Sequence, residues 1–126
     1  MSKRHIWRIK KEYYLQLQRG EKSIEVRVGY GHVKSVKTGD TISFENYGRN
    51  EFTVARVVRY SSFDDLLSNE NVSRVLPGFS KGQAITALRD IYPKDKELLG
   101  VYAFELNTKE PKPLRRKSAC CIGANR

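Results

Sequence analysis

Cysteine is nearly absent from this 126-residue chain: only Cys120 and Cys121 occur, side by side. Adjacent cysteines rarely reach disulfide geometry and no third thiol is available, so both read as reduced thiols and no disulfide framework is expected. Histidine is as scarce. His5 and His32 stand far apart and there is no Cys-x-x-Cys, so no zinc spacing is present, and neither a metal nor another cofactor is expected. No apolar run approaches the roughly 20 residues that span a bilayer. The basic start, Ser2-Lys3-Arg4-His5, lacks the apolar stretch of a secretory signal behind it. These absences argue against a disulfide-stapled secreted domain and a membrane-spanning helix, and leave a cytoplasmic protein as the expectation.

Positive charge is plentiful. The formal net charge of +10 favours a polyanionic partner, because neutralised phosphates release condensed counterions. Half of that charge lies in residues 109–126, where Lys109, Lys112, Arg115, Arg116, Lys117 and Arg126 face only Glu110. This stretch has no periodic apolar positions, so the chain divides into a folded domain over residues 1–108 and a basic tail over 109–126. The tail can supply nonspecific attraction to RNA or contact a protein partner, while the domain reads something smaller.

Hydrophobic periodicity orders the domain. A strand is predicted over His5–Ile9, then a helix over Lys10–Arg19 that stops at Gly20. In Ser23–Val28, strict alternation assigns Ile24, Val26 and Val28 to the core and Ser23, Glu25 and Arg27 to a polar face. Strands follow at Thr41–Phe44 and Phe52–Tyr60. Ser62 caps a short helix reaching Leu67, and Ser80 with Gln83 forms a capping box for a helix that Pro93 ends. Val101–Leu106 is the last strand. The order β-α-β-β-β-α-α-β predicts an α+β fold, a small mixed β-barrel with about three helices packed on it, since a doubly wound parallel sheet would alternate throughout.

The fragments Gly20-Glu21-Lys22-Ser23-Ile24-Glu25-Val26-Arg27, Gly39-Asp40-Thr41-Ile42-Ser43-Phe44, Leu76-Pro77-Gly78-Phe79-Ser80, Ile91-Tyr92-Pro93 and Gly100-Val101 occur in an order and spacing that resemble the ASCH domain family, over roughly residues 5–107. The resemblance implies a PUA-like barrel with a cleft beside the Gly-x-Lys-x-x-Glu-x-Arg strand and a role in binding RNA or nucleotide-like ligands. Some small relatives are amidohydrolases that remove the acetyl group from N4-acetylcytidine with a lysine, a threonine and a glutamate. Lys22 matches that lysine, Glu25 stands where the threonine belongs, and the region that would supply the glutamate reads Ser73-Arg74-Val75-Leu76-Pro77, with Glu70 the nearest acid. That activity therefore does not carry over with the resemblance.

The expected ligand site is centred on Lys22, Ser23, Glu25 and Arg27, with Arg27 offering a guanidinium fork to phosphate and Glu25 an acceptor to a base amino group. Arg56, Phe79, Ser80 and Tyr92 are added as contacts. Lys10, Lys11, Arg59, Lys81 and Lys96 are candidates for a basic rim with Arg56, while Trp7, Tyr30 and Tyr60 join Phe79 and Tyr92 as possible stacking platforms for single-stranded RNA. At least half of these five aromatics are expected in the core, with Phe79 the most exposed. His32 reads as a surface residue. The leading expectation is a non-catalytic RNA- or nucleotide-binding module. A hydrolase acting on a modified nucleoside or on RNA, with Lys22 and Glu25 as its catalytic candidates, is the first alternative, and a protein-interaction adaptor working through the tail is the second.

Overall fold

The structure, a computed structural model, describes residues 2–47 and 50–108. The calls on the basic tail and on Cys120 and Cys121 lie outside the described residues. Five strands, β1 (Arg4–Trp7), β2 (Ile24–Val28), β3 (Thr41–Phe44), β4 (Glu51–Tyr60) and β5 (Val101–Thr108), form one sheet in the order β1-β3-β4-β5-β2. β1 runs parallel to β3, and the other neighbours are antiparallel. Helices α1 (Lys11–Arg19), α3 (Phe63–Asn69) and α5 (Lys81–Ile91) match the three expected from periodicity. Three four-residue helices were not expected: α2 (Gly31–Lys34), α4 (Val72–Val75) and α6 (Lys94–Glu97). A single turn contains too few residues to show a period.

Local signals act where the sequence sets them. Gly20 ends α1 in the left-handed conformation at φ 80°, which a residue without Cβ adopts at least cost. The Ser62 side chain accepts from the Asp65 N–H, and Ser80 and Gln83 complete a reciprocal capping box at α5. Gly29 has a different reason to be glycine. A Cβ there would lie 2.6 Å from the Leu99 carbonyl oxygen, so any side chain would push the end of β2 off the start of β5.

Both faces of the sheet are covered. Ile24, Val26, Val28, Val101 and Ala103 pack under α3, α4 and α5 through Phe63, Leu66, Val75, Ala84 and Leu88. Phe104, Leu106, Ile42, Phe44, Phe52 and Val54 pack on the opposite face with Trp7, Tyr14 and Leu17 and with Val33 of α2. Paired residues of a ladder share a face, and Glu25 is paired with Phe104 and Arg27 with Tyr102. The face that alternation marked as polar therefore points toward the second core, not into water. This explains why Glu25 is buried.

The expected closed barrel is not formed. No ladder joins the edge strands β1 and β2 among the described residues, so the sheet is open. Side chains span the gap instead. Arg27 Nη2 donates to the Arg8 carbonyl oxygen at 2.7 Å, just beyond β1, and its guanidinium lies 4.7 Å from the centre of the Trp7 ring. Trp7 in turn meets Phe104 edge-on at 5.2 Å.

Candidate functional site

The site is assembled where β2 leaves α1. Gly20 turns the chain back and Lys22 follows with its side chain only 3% exposed, which leaves its ammonium dependent on protein partners. It finds three: the Ile24 carbonyl at 2.6 Å, the Val75 carbonyl at 2.5 Å and Glu25 Oε1 at 3.3 Å. Lys22 thus ties β2 to α4. Arg27 approaches Glu25 from the other side, placing Nε at 2.8 Å and Nη2 at 2.6 Å from the same oxygen, Oε2. Nη1 has no partner among the described residues, and Oε1 keeps an acceptor site beyond its contact with Lys22.

Burial and charge oppose each other here. Burial pushes the Glu25 carboxyl up, but the charges and hydrogen bonds of Arg27 and Lys22 outweigh it and hold Glu25 below the usual carboxylate range. Burial lowers the pKa of Lys22 and Arg27 adds to the effect, against the opposing pull of Glu25. With all three groups ionised, the cluster carries one negative and two positive charges.

Above it lies a cavity of about 180 Å³. Buried Lys22 and Glu25 and half-buried Arg27 form its inner charged part; Tyr13, Tyr92, Ile9 and Ile91 contribute its walls, with Val26, Val75, Leu76, Ala87 and Leu88 completing the apolar lining. Burial raises the pKa of both Tyr13 and Tyr92, so both phenols stay protonated at neutral pH. Arg8 and Lys10 also line the cavity, and both are exposed residues. Arg8 pairs with Glu45 at 2.8 Å, whereas Lys10 has no ion pair among the described residues.

Of the eight residues expected at the site, Lys22, Glu25, Arg27 and Tyr92 line this cavity together, and Ser23, Arg56, Phe79 and Ser80 do not. Ser23 Oγ accepts from Arg74 Nε, fixing β2 to α4. Arg56 is engaged by Glu70 through both terminal nitrogens, at 2.9 and 2.7 Å, and by Glu105 through Nε at 2.8 Å. Ser80 Oγ is the α5 cap, and Phe79 lines a separate shallow concavity with Gly82, Gln83, Thr86, Ala87 and Asp90.

The guanidinium expected to offer a phosphate fork is engaged within the protein. Arg27 Nε and Nη2, the pair that would clasp a phosphate, already hold Glu25 and the Arg8 carbonyl. Of the six rim cations only Lys10 reaches the cavity; Lys81 pairs with Asp64 at 3.0 Å, and Lys96 lies over Tyr30. Of the five aromatics only Trp7 is buried, Tyr30, Tyr60 and Tyr92 are half-buried against the core, and Phe79, 38% exposed, is the most exposed, as expected. His32 is exposed and stacks on Tyr30.

Sequence reasoning missed Tyr13 and Ile91. The signal for Ile91 lay at the end of α5, where the periodic run that buries Ala84 and Leu88 continues into an isoleucine that is 47% exposed. Glu70 does not line the cavity; its carboxylate is held by Arg56 and by the Tyr60 hydroxyl at 2.5 Å. Among the described residues, Glu25 is the only carboxylate lining the cavity, and that lining includes no Ser, Thr, Cys or His.

The sequence profile of the ASCH domain matches residues 8–110. No curated protein matches the chain. Among solved structures, the crystal structure of hypothetical protein PH0355 is 31% identical, with a TM-score of 0.78 over 84% of this chain and 98% of that one. The solution NMR structure of protein PF0455 from Pyrococcus furiosus is also 31% identical, with a TM-score of 0.72 over 86% of this chain and 99% of that one. The profile spans residues 8–110, both solved structures are similar over more than four fifths of the chain, and the chain belongs to the ASCH domain family.

Proposed function

We propose that the chain is a non-catalytic binding domain that takes one unpaired base of an RNA, or the base of a free nucleotide, into the cleft over Glu25 and Arg27. The observation that carries this reading is the pair of unfilled hydrogen-bonding positions on a buried ionic cluster, Arg27 Nη1 as donor and Glu25 Oε1 as acceptor, both on residues lining the cavity. A neutral base edge offers the complementary acceptor and donor, and recognition of splayed-out bases uses such edges. The cavity, at about 180 Å³, falls below the roughly 300–1,000 Å³ of sites that enclose drug-sized ligands. That size suits a base better than a whole nucleotide. Sugar and phosphate would then remain outside, against Lys10 and Arg8. The family is often linked to RNA binding, which supports the reading, and such a ligand is met in the cytoplasm, where we place the protein. The barrel expected from the family is retained here only in a looser sense, a curled sheet closed by side chains.

The test is a nuclear magnetic resonance titration of the full chain with nucleosides and short single-stranded RNAs at physiological salt. Perturbations centred on Lys22–Arg27, Tyr13 and Tyr92 are expected; saturating ligand that leaves those signals unmoved would sink the reading. One observation favours hydrolysis as the second reading: Lys22, its pKa lowered by burial, lies 3.3 Å from the Glu25 carboxylate. Against it, all three Lys22 donors are engaged and the lining provides no hydroxyl nucleophile other than the phenols. Adding N4-acetylcytidine to the same titration decides between the two, because free acetate appears only if the chain is an amidohydrolase.

A further inference from the structure

Helix α5 separates two concavities. On one side it contributes Ala87, Leu88 and Ile91 to the cleft; on the other it contributes Gly82, Gln83, Thr86, Ala87 and Asp90 to the hollow beside Phe79. Ala87 belongs to both. At 100° per residue, Ala87 lies between the Leu88 side and the Thr86 side of the helix, so its methyl group stands on the boundary shared by the two hollows.

Phe79 itself is out of place for a packed aromatic, being 38% exposed, and its backbone is well held. The preceding Gly78 takes φ 86°, the Phe79 N–H donates to the Leu76 carbonyl at 3.1 Å, and the next residue is the Ser80 cap of α5. An exposed ring on a fixed backbone beside a helix flank of Gly82, Thr86 and Ala87 offers a flat apolar contact with low ordering cost. Among the described residues Asp90 is the only charged one lining this hollow, which argues against phosphate as its occupant.

We infer that the Phe79 hollow is a second subsite, stacking the base next to the one in the cleft, so that the domain's preferred ligand is at least a dinucleotide of a single strand crossing α5 at Ala87. The inference rests on the cleft being a base site. Every base has a π-face, so the second subsite is tolerant of sequence while the cleft is selective.

The experiment compares mononucleotides with dinucleotides by calorimetry on the full chain, with Phe79→Ala and Phe79→Trp variants beside it. Dinucleotides are expected to bind at least about 5-fold more tightly than the better of their two mononucleotides, the lower end of what one stacked base contributes. Phe79→Ala should remove that gain with mononucleotide affinity unchanged, and Phe79→Trp should keep it. Mononucleotide binding with no gain for dinucleotides, or a gain that survives Phe79→Ala, overturns the second subsite and leaves the cleft reading standing. Failure of both ligand classes to bind overturns the cleft reading and this one with it.

Discussion

Glu25 and Glu70 each meet an arginine, each is almost out of solvent, and each is held below the usual carboxylate range. The two clusters differ in how completely they close. Glu70 gives one oxygen to each terminal nitrogen of Arg56, takes the Tyr60 hydroxyl as well, and leaves Arg56 Nε to Glu105. Glu25 receives two Arg27 nitrogens on a single oxygen, leaving Arg27 Nη1 unmatched and Oε1 shared only with Lys22. The closed cluster joins the α3–α4 corner to the sheet and stands apart from the cleft; the open one underlies it. A buried ion pair by itself is therefore a poor marker of function in this chain, and an incompletely matched one beside a cavity is a better marker.

The largest effect that separates the clusters is expected from deleting their carboxylates. Glu25→Ala leaves the Lys22 ammonium, 3% exposed, without a counter-charge, and should destabilise the fold by about 3–5 kcal/mol in urea unfolding. Glu70→Ala should cost roughly 1.5–3 kcal/mol, because Arg56 is 41% exposed and keeps Glu105. Equal losses would mean that the Lys22 cluster is no more dependent on its acid than a half-solvated pair. Next is binding. Arg27→Ala should weaken base binding at least 10-fold, about 1.4 kcal/mol, while Arg56→Ala leaves it unchanged. Calorimetry showing the reverse would transfer the site to the closed cluster.

Acid provides a finer comparison. A carboxyl whose folded pKa is lowered stabilises the fold above its unfolded pKa, and that contribution is lost as pH falls through the folded value. Glu25 and Glu70 obey this sign, and so does Asp40. Burial pushes the Asp40 carboxyl up, but hydrogen bonds from His5 and from the Lys3 and Lys37 N–H groups bring it down to about 2. Asp40→Asn should therefore flatten the stability profile between about pH 4 and pH 2 and leave base binding at neutral pH intact. An unchanged acid limb would show that those bonds do not survive in solution. The smallest expected effect is Ser80→Ala, which removes the α5 cap at about 1 kcal/mol. Its hydrogen-exchange signature should appear in the first turn of α5 and not at the Glu70 corner.

Much of this molecule was legible from residue pattern. Alternation found the core side of β2 in Ile24, Val26 and Val28, and caps found the starts of α3 and α5. The polar side of β2 was read as a ligand-facing surface because alternation reports two faces without saying what covers the second. Here Trp7 and Phe104, far from β2 in sequence, do so. The cleft walls were missed for a related reason. Tyr13, Leu76 and Ile91 come from three separate elements whose approach to Lys22 is a property of the packing, and no spacing in the chain records it. Arg56 lies apart from the cleft, pairing with Glu70, and a basic residue on a strand looks the same in sequence whether it faces a ligand or an acid of its own chain.

The pairing of β2 has a consequence for the order in which the protein is assembled. Among the described residues its only ladder partner is β5, more than seventy residues later in the chain, while β3 and β4 can pair as soon as both exist. Contacts of such sequence separation are slow to form, because the intervening chain must first be closed into a loop. During synthesis, residues 24–28 therefore wait with Ile24, Val26 and Val28 unprotected until residues 101–108 have emerged. The cleft is then among the last parts of the molecule to exist, and a chain interrupted before β5 would retain the turn and helix signals of this protein with no floor on which to receive a ligand.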